Sequence, residues 1–351
     1  EAGNPGSNPK DMEFFQEMKK VELKTSKLCA FGSTRRKDIN CSEDVNLQSL
    51  LAADTEWVVI FGKSWTFQVT DIIKTTLEEN LAMIRDTCKF LCDNGRQVIY
   101  DAEHFFTGYQ ENSEYAIKTL EAAVEGGAKV LSLCETKGGC MLKDCETAVA
   151  AVCKHFGDKV KVGIHTHNDC GLAVANSLVA VESGARHVQG TFLGFGERTG
   201  NANLSSIIPC LQLKMGYKCL EDEKLQELTP IAKRVAEITN VSLNTQLPFV
   251  GGSAFSHKAG MHIDAVLKNP SAYEHINPEA VGNQRVFLMS EVAGRATIIE
   301  KIQKIDPMIS KDNPVVGDIM KKMKQLEFEG YQFEGADGSF ELLARKMIGR
   351  Y

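Results

Sequence analysis

The sequence predicts an α/β protein built as a (β/α)8 barrel, and three observations carry that reading. Short apolar or β-branched runs recur at intervals of roughly 25 to 40 residues, each followed by a longer segment with helical spacing, as in repeated strand-helix units. A helical pattern at residues 11–21 comes before the first full strand, so Glu1 reads as the last residue of a strand. No GxGxxG turn opens a helix, which weighs against an open doubly wound sheet holding a dinucleotide.

Taken in order, the elements alternate. The first strand, 27–32, is the apolar run around Leu28-Cys29-Ala30, and the helix at 43–53 follows it. The second strand, 57–62, leads into a long helical pattern at 70–93. The third, 97–105, precedes a helix at 113–126, and the fourth, 129–136, precedes one at 144–156. The fifth strand, 159–169, contains the alternating Val160-Lys161-Val162-Gly163-Ile164 and is followed by a helix at 172–183. The sixth, 186–194, runs into a glycine-rich turn and a helix at 203–215. Six strands and the one ending at Glu1 make seven. A closed barrel needs eight, so a further strand is expected upstream.

The barrel is expected to occupy residues 1–218. From about Cys219 the pattern changes to a smaller, mainly helical region, 219–310, with an amphipathic stretch at 220–239 restarting at Pro230. Loops are expected at 248–253 and 276–279. The Lys- and Glu-rich segment 311–351 reads as the start of a second linker subdomain leading toward a further C-terminal domain.

Composition narrows the function. Forty Lys and Arg against 46 Asp and Glu give a net charge of -6, with no basic stripe for a phosphate backbone, so nucleic acid is not an expected partner. No apolar run approaches the ~20 residues that span a bilayer, which argues against a membrane partner and for a cytoplasmic protein. The 11 cysteines lie mostly in apolar stretches without a CxxC pair and read as reduced core residues.

The sharpest feature is His165-Thr166-His167-Asn168-Asp169 at the end of the fifth strand. Side chains alternate along a strand, so His165 and His167 point to one face and can share a metal at the end of the barrel where active sites sit. Two polar rings merely closing a strand are the plainer alternative. The next turn, Gly194-Phe195-Gly196-Glu197-Arg198-Thr199-Gly200-Asn201-Ala202-Asn203, brings backbone close to a ligand and offers Asn201 either as a metal ligand or as a helix cap.

These two motifs, with Tyr100-Asp101-Ala102-Glu103-His104-Phe105-Phe106, resemble the isopropylmalate, homocitrate and citramalate synthase family. The resemblance covers nearly the whole chain. Phe31-Gly32-Ser33-Thr34-Arg35-Arg36, Phe61-Gly62-Lys63-Ser64-Trp65 and residues 248–282 are most similar to its citramalate branch. The resemblance implies acetyl-CoA condensing with a small 2-oxo acid, pyruvate in that branch, on a divalent cation (Mn, Mg, Zn or Co) held by His165, His167 and Asn201. It further implies catalytic roles for Glu103, His262 and Tyr273, and substrate contacts from Glu1, Thr136 and Glu197. A homodimer is implied too, in which the smaller region reaches the partner's active site. The family's Arg-Asp-Gly turn, source of another metal ligand, has no counterpart in this sequence. A metal-dependent lyase on the same barrel, an amidohydrolase-like barrel and an inactive relative are the competing readings.

Overall fold

The computed structural model describes residues 1–288 and 295–350. They divide into two compact units, Glu1–Ile207 and Ile208–Tyr351.

The first unit alternates helix and strand: α1 (Pro9–Met18), β1 (Cys29–Ser33), α2 (Val45–Ala53), β2 (Trp57–Lys63), α3 (Leu77–Asp93), β3 (Gln97–Glu103), α4 (Phe105–Glu111), α5 (Ser113–Glu125), β4 (Val130–Glu135), α6 (Leu142–Phe156), β5 (Lys161–Thr166), α7 (Ala173–Glu182), β6 (His187–Gln189) and α8 (Leu204–Pro209). All six strands are parallel and lie side by side in chain order. A doubly wound sheet would reverse that order at a switch point, so the barrel expectation holds against its competitor.

Alternation along the strands sorts the sheet into two faces. Ala30, Val58, Ile60, Val98, Tyr100, Leu131, Leu133, Val162 and Ile164 pack with apolar residues of α2, α3, α5, α6 and α7 in the main core. Cys29, Val59, Ile99 and Val130 form a smaller cluster with Phe31 and Trp57 on the opposite face. That face is concave. Gln189 on β6 hydrogen-bonds Asp101 on β3 at 2.8 Å, although three strand spacings on a flat sheet would separate them by ~14 Å. A cavity of about 490 Å³ opens on this face, lined by Glu1, Cys29, Trp57, Val59, His187 and Gln189 among others. The ladder also continues beyond β1: Ala2 N–H donates to Cys29 O and Phe31 N–H to Gly3 O, both at 3.0 Å, so Ala2 and Gly3, directly after Glu1, lie against β1.

The boundaries differ from the expected ones for local reasons. Strand 97–105 stops at Glu103, because His104 turns into the left-handed region (φ 59°) and starts α4. Phe105 and Phe106 are buried under the helical layer, and an apolar pair reads alike as strand or helix. Helix 70–93 begins only at Leu77, where Thr76 Oγ1 accepts from Glu79 N–H; before it come a π-helical turn, Gln68–Ile72, and Lys74 at φ 53°. Strand 159–169 shortens to Lys161–Thr166, and strand 186–194 to three residues, ended by a tight turn with Leu193 at φ 65°. Helix 203–215 becomes α8 followed by a π-helical turn, Cys210–Lys214.

In the second unit, α9 (Asp222–Leu225) and α10 (Leu228–Ile238) replace the continuous stretch 220–239, and the restart falls two residues before Pro230. A two-residue ladder joins β7 (Ser256–His257) to β8 (Val286–Phe287). α11 (Gly260–Lys268) follows β7, and a 3-10 turn, Pro278–Val281, replaces part of the expected loop at 276–279. α12 (Arg295–Ile305), α13 (Pro314–Phe328) and α14 (Asp337–Ile348) share a core of Ile298, Ile302, Val316, Ile319, Met323 and Phe340.

Candidate active site

The strand ends bring the chemistry of the first unit together. Register places Lys63 beside Glu103 and His165 beside Gln189. Thr166 points away from His165 and His167, burying its hydroxyl against Ala173 O at 2.9 Å under α7. The two histidines therefore share the other face, as alternation requires. Their Nε2 atoms lie 3.3 Å apart. Two imidazole nitrogens binding one cation at ~2.1 Å would stand ~3.0–3.4 Å from each other.

The third candidate ligand fits the same place. Asn201 pairs with His167 as an isolated antiparallel bridge. Its Nδ2 donates to Phe195 O at 3.0 Å, while its Oδ1 is buried without a partner. A buried, unpaired amide oxygen is costly unless something fills its lone pairs. Helix capping does not explain it, because Asn203 Oδ1 takes the Ser205 N–H at 3.0 Å. Among the described residues no three His, Cys, Asp or Glu side chains form a metal-holding group. The donor set is instead two ring nitrogens and one amide oxygen, which suits a borderline divalent cation.

The flanking residues of both motifs hold this arrangement. Asn168 Oδ1 accepts from Ala173 N–H at the start of α7, fixing the loop directly after His167. Asp169 takes a two-pronged grip from Arg198, whose Nε and Nη2 each donate at 2.8 Å, and this contact holds its carboxyl below the usual range. The same guanidinium reaches Thr136 O at 2.8 Å, tying three strand-end loops together. Gly138 and Gly200 are required by space: a Cβ would lie 2.0 Å from Asp169 Oδ2 at the first and 2.0 Å from Gly194 O at the second.

Burial sets the charges. It is the main cause that pushes His167 down to about 4, helped by His165 and Arg198, so the ring is neutral and able to ligate at pH 7. Glu1 is exposed as a residue, yet its carboxyl is surrounded by protein, which raises its pKa against the pull of His165. Burial raises Asp101 well above the carboxylate range, with Glu1 adding to the effect.

The other expected site residues are placed as follows. Glu103 is ion-paired with Lys63. Thr136 Oγ1 accepts from His104 N–H at 2.9 Å, pinning the end of β4 to the start of α4. Glu197 is solvent-exposed, with Arg198 Nη1 3.6 Å from its carboxylate. In the second unit His262 and Tyr273 stack with ring centroids 4.2 Å apart, both on its surface. The side chain of the next residue, Glu274, is buried and gripped by Arg285 through two contacts of 2.6 Å and by His257 at 3.1 Å.

Sequence reasoning passed over two residues beside the histidines. His165 Nδ1 meets Gln189 Oε1 at 2.8 Å, and Gln189 Nε2 donates to Asp101 Oδ1 at 2.8 Å. Asp101 was in view two positions before Glu103, on the same face. Gln189 depends on register between strands, which one sequence does not carry.

Residues 1–235, the first unit and the start of the second, match the HMGL-like family. The chain belongs to the HMGL-like family. Residues 249–330 of this family member match the homocitrate synthase post-HMGL domain-like family. The (R)-citramalate synthase of Aquifex aeolicus is 51% identical over 99% of the chain and 66% of its own length. That of Sulfolobus acidocaldarius is 47% identical over 100% of the chain and 67% of its own. The chain thus spans about two thirds of the length of the curated relatives that it matches. The solved HMG-CoA lyase of Bacillus subtilis, 20% identical, superposes with a TM-score of 0.55 over 66% of this chain and 76% of its own, which shows the barrel fold.

Proposed function

We propose that the protein condenses acetyl-CoA with pyruvate and hydrolyses the resulting thioester, giving (R)-citramalate and CoA. The observation that carries the reading is the convergence of His165 and His167, 3.3 Å apart at Nε2, beside the unpartnered Asn201 oxygen at the strand ends of a barrel. Similarity to (R)-citramalate synthases over nearly the whole chain supplies the choice of substrates.

His165, His167 and Asn201 would hold a divalent cation. When bound there, such a cation polarises the ketone of a chelated 2-oxo acid and offsets charge on the oxygen as the carbon-carbon bond forms. Thr136, Glu1 and Glu197 lie on the loops and edge around that position and are the proposed contacts of the acid. Overall, the acetyl methyl loses a proton, its carbon attacks the pyruvate ketone carbon, the resulting alkoxide gains a proton, and water then releases CoA.

The chain supplies the proton transfers. Glu103, committed to Lys63, holds charge and position beside the acid, which leaves His262, stacked on Tyr273, to take the methyl proton as general base. Tyr273 keeps that ring in place. We place the pair opposite the strand ends of a partner subunit in a homodimer. The test is thiol release from acetyl-CoA with pyruvate, 2-oxoisovalerate or 2-oxoglutarate as acceptor. Preference for pyruvate with (R)-citramalate as product is expected. Preference for another acid would change the substrate, and release with none would overturn the condensing reading.

A further inference from the structure

A cation at two histidines needs more than their proximity. Each ring must present Nε2 as a lone pair, so its proton must sit on Nδ1, and a fixed acceptor at Nδ1 decides that tautomer. The two rings differ here. His167 Nδ1 is buried and has no partner. His165 Nδ1 meets Gln189 Oε1 at 2.8 Å.

Gln189 is itself held. Its Nε2 donates to Asp101 Oδ1 at 2.8 Å, so its oxygen must turn toward His165 rather than its amide hydrogens. Asp101 is 4% exposed on the concave face, one pleat below Glu103, and its contact with Gln189 crosses the curved sheet from β3 to β6. An acid so deep, with this amide as its partner across the barrel, has no evident packing purpose.

We propose that Asp101 and Gln189 are positioning residues forming a relay, Asp101 to Gln189 to His165, which fixes the His165 tautomer and ring angle for cation binding. The relay rests on the cation-site reading above, and nothing in it touches substrate. It gives the His165 nitrogen a preset direction, whereas His167 settles only when its Nε2 is engaged. The asymmetry also predicts which histidine binds first.

The relay can be read in the protein expressed from its whole gene and stripped of metal. Nitrogen-15 NMR of the imidazoles is expected to show His165 protonated on Nδ1; protonation on Nε2 would overturn the relay without any mutation. Titration with Co2+, followed by its visible absorption, gives the second reading. Gln189→Leu, close in volume, is expected to weaken Co2+ binding by about 10–100-fold and shift the absorption band. The exchange Asp101→Asn with Gln189→Glu keeps one acid and one amide in the pair and both hydrogen bonds, and should recover most of the lost affinity. If Gln189→Leu binds as tightly as the unmutated protein, or the exchanged pair stays as weak as Gln189→Leu, the relay is wrong. If the unmutated protein binds Co2+ no better than His165→Ala, the cation site falls and the relay with it.

Discussion

At the scale of single residues, burial rather than charge pairing governs His167 and His187. His187 is pushed down to about 4, first by burial and then by Lys161. An unfolded histidine titrates near 6.5, so between ~6.5 and ~4 the unfolded chain binds the extra proton and the folded one does not. Stability is therefore full above ~6.5 and falls as pH drops toward ~4, by ~3 kcal/mol if the whole shift is expressed. Urea midpoints measured from pH 7 to 4 should decline, and less steeply in His187→Gln. Equal slopes in the two proteins would remove His187 as a cause. A second prediction concerns chemistry: His262→Ala should lower kcat by about 10²–10⁴-fold with little change in KM for pyruvate, as expected for a lost proton acceptor. Steady-state kinetics would show instead a raised KM alone if the ring merely binds.

Legibility at this scale followed periodicity. His165 and His167 were visible as a same-face pair because strand alternation is fixed by backbone geometry. In sequence Asn201 reads as a ligand or as a helix cap, and the structure gives the capping role to Asn203. Gln189 was not legible, since its meaning comes from lying opposite His165 in a neighbouring strand. The Asp169–Arg198 clamp joins two motifs that read as separate in sequence, and no spacing rule links residues on different loops.

At the scale of elements, strand order was legible and boundaries were not. Runs such as Val58-Val59-Ile60 declare a buried strand, but the stop after Glu103 depends on one residue's backbone, His104. The helix that follows lies close against the β2 loop. A Cβ at Gly108 would stand 2.3 Å from Ser64 O. Gly108→Ala should therefore cost ~1–3 kcal/mol through forced displacement of that backbone, despite the better helix propensity of alanine. Chemical denaturation checks the sign, and a stabilised variant would show that the loop yields freely. Asp44 makes a comparable local commitment: its Oδ1 caps α2 by accepting from Asn46 N–H at 2.9 Å and Leu47 N–H at 3.2 Å. Its Oδ2 accepts from Arg36 N–H at 2.9 Å. Asp44→Ala should lower stability by ~1–2 kcal/mol in the same experiment. An unchanged midpoint would mean that water replaces the cap at no net loss.

At the scale of the whole molecule, helices on one face of a curved parallel sheet leave the other face for chemistry, and the strand ends gather Lys63, Glu103, Thr136, His165 and His167 around one rim. Residues spread over more than 100 positions are thereby brought together at one rim of the first unit. The second unit carries its own core and presents the stacked His262 and Tyr273. Among the described residues no helix is long and apolar enough to cross a membrane. Under the proposed function, cation binding at His165, His167 and Asn201 enables condensation. Its most direct test is the rate of CoA release from acetyl-CoA and pyruvate by the protein expressed from its whole gene, before EDTA treatment, after it, and after Mn2+ is restored. Release that disappears with EDTA, returns with Mn2+, and is absent throughout in His167→Ala is the predicted result. Undiminished release after EDTA, or in His167→Ala, would contradict it.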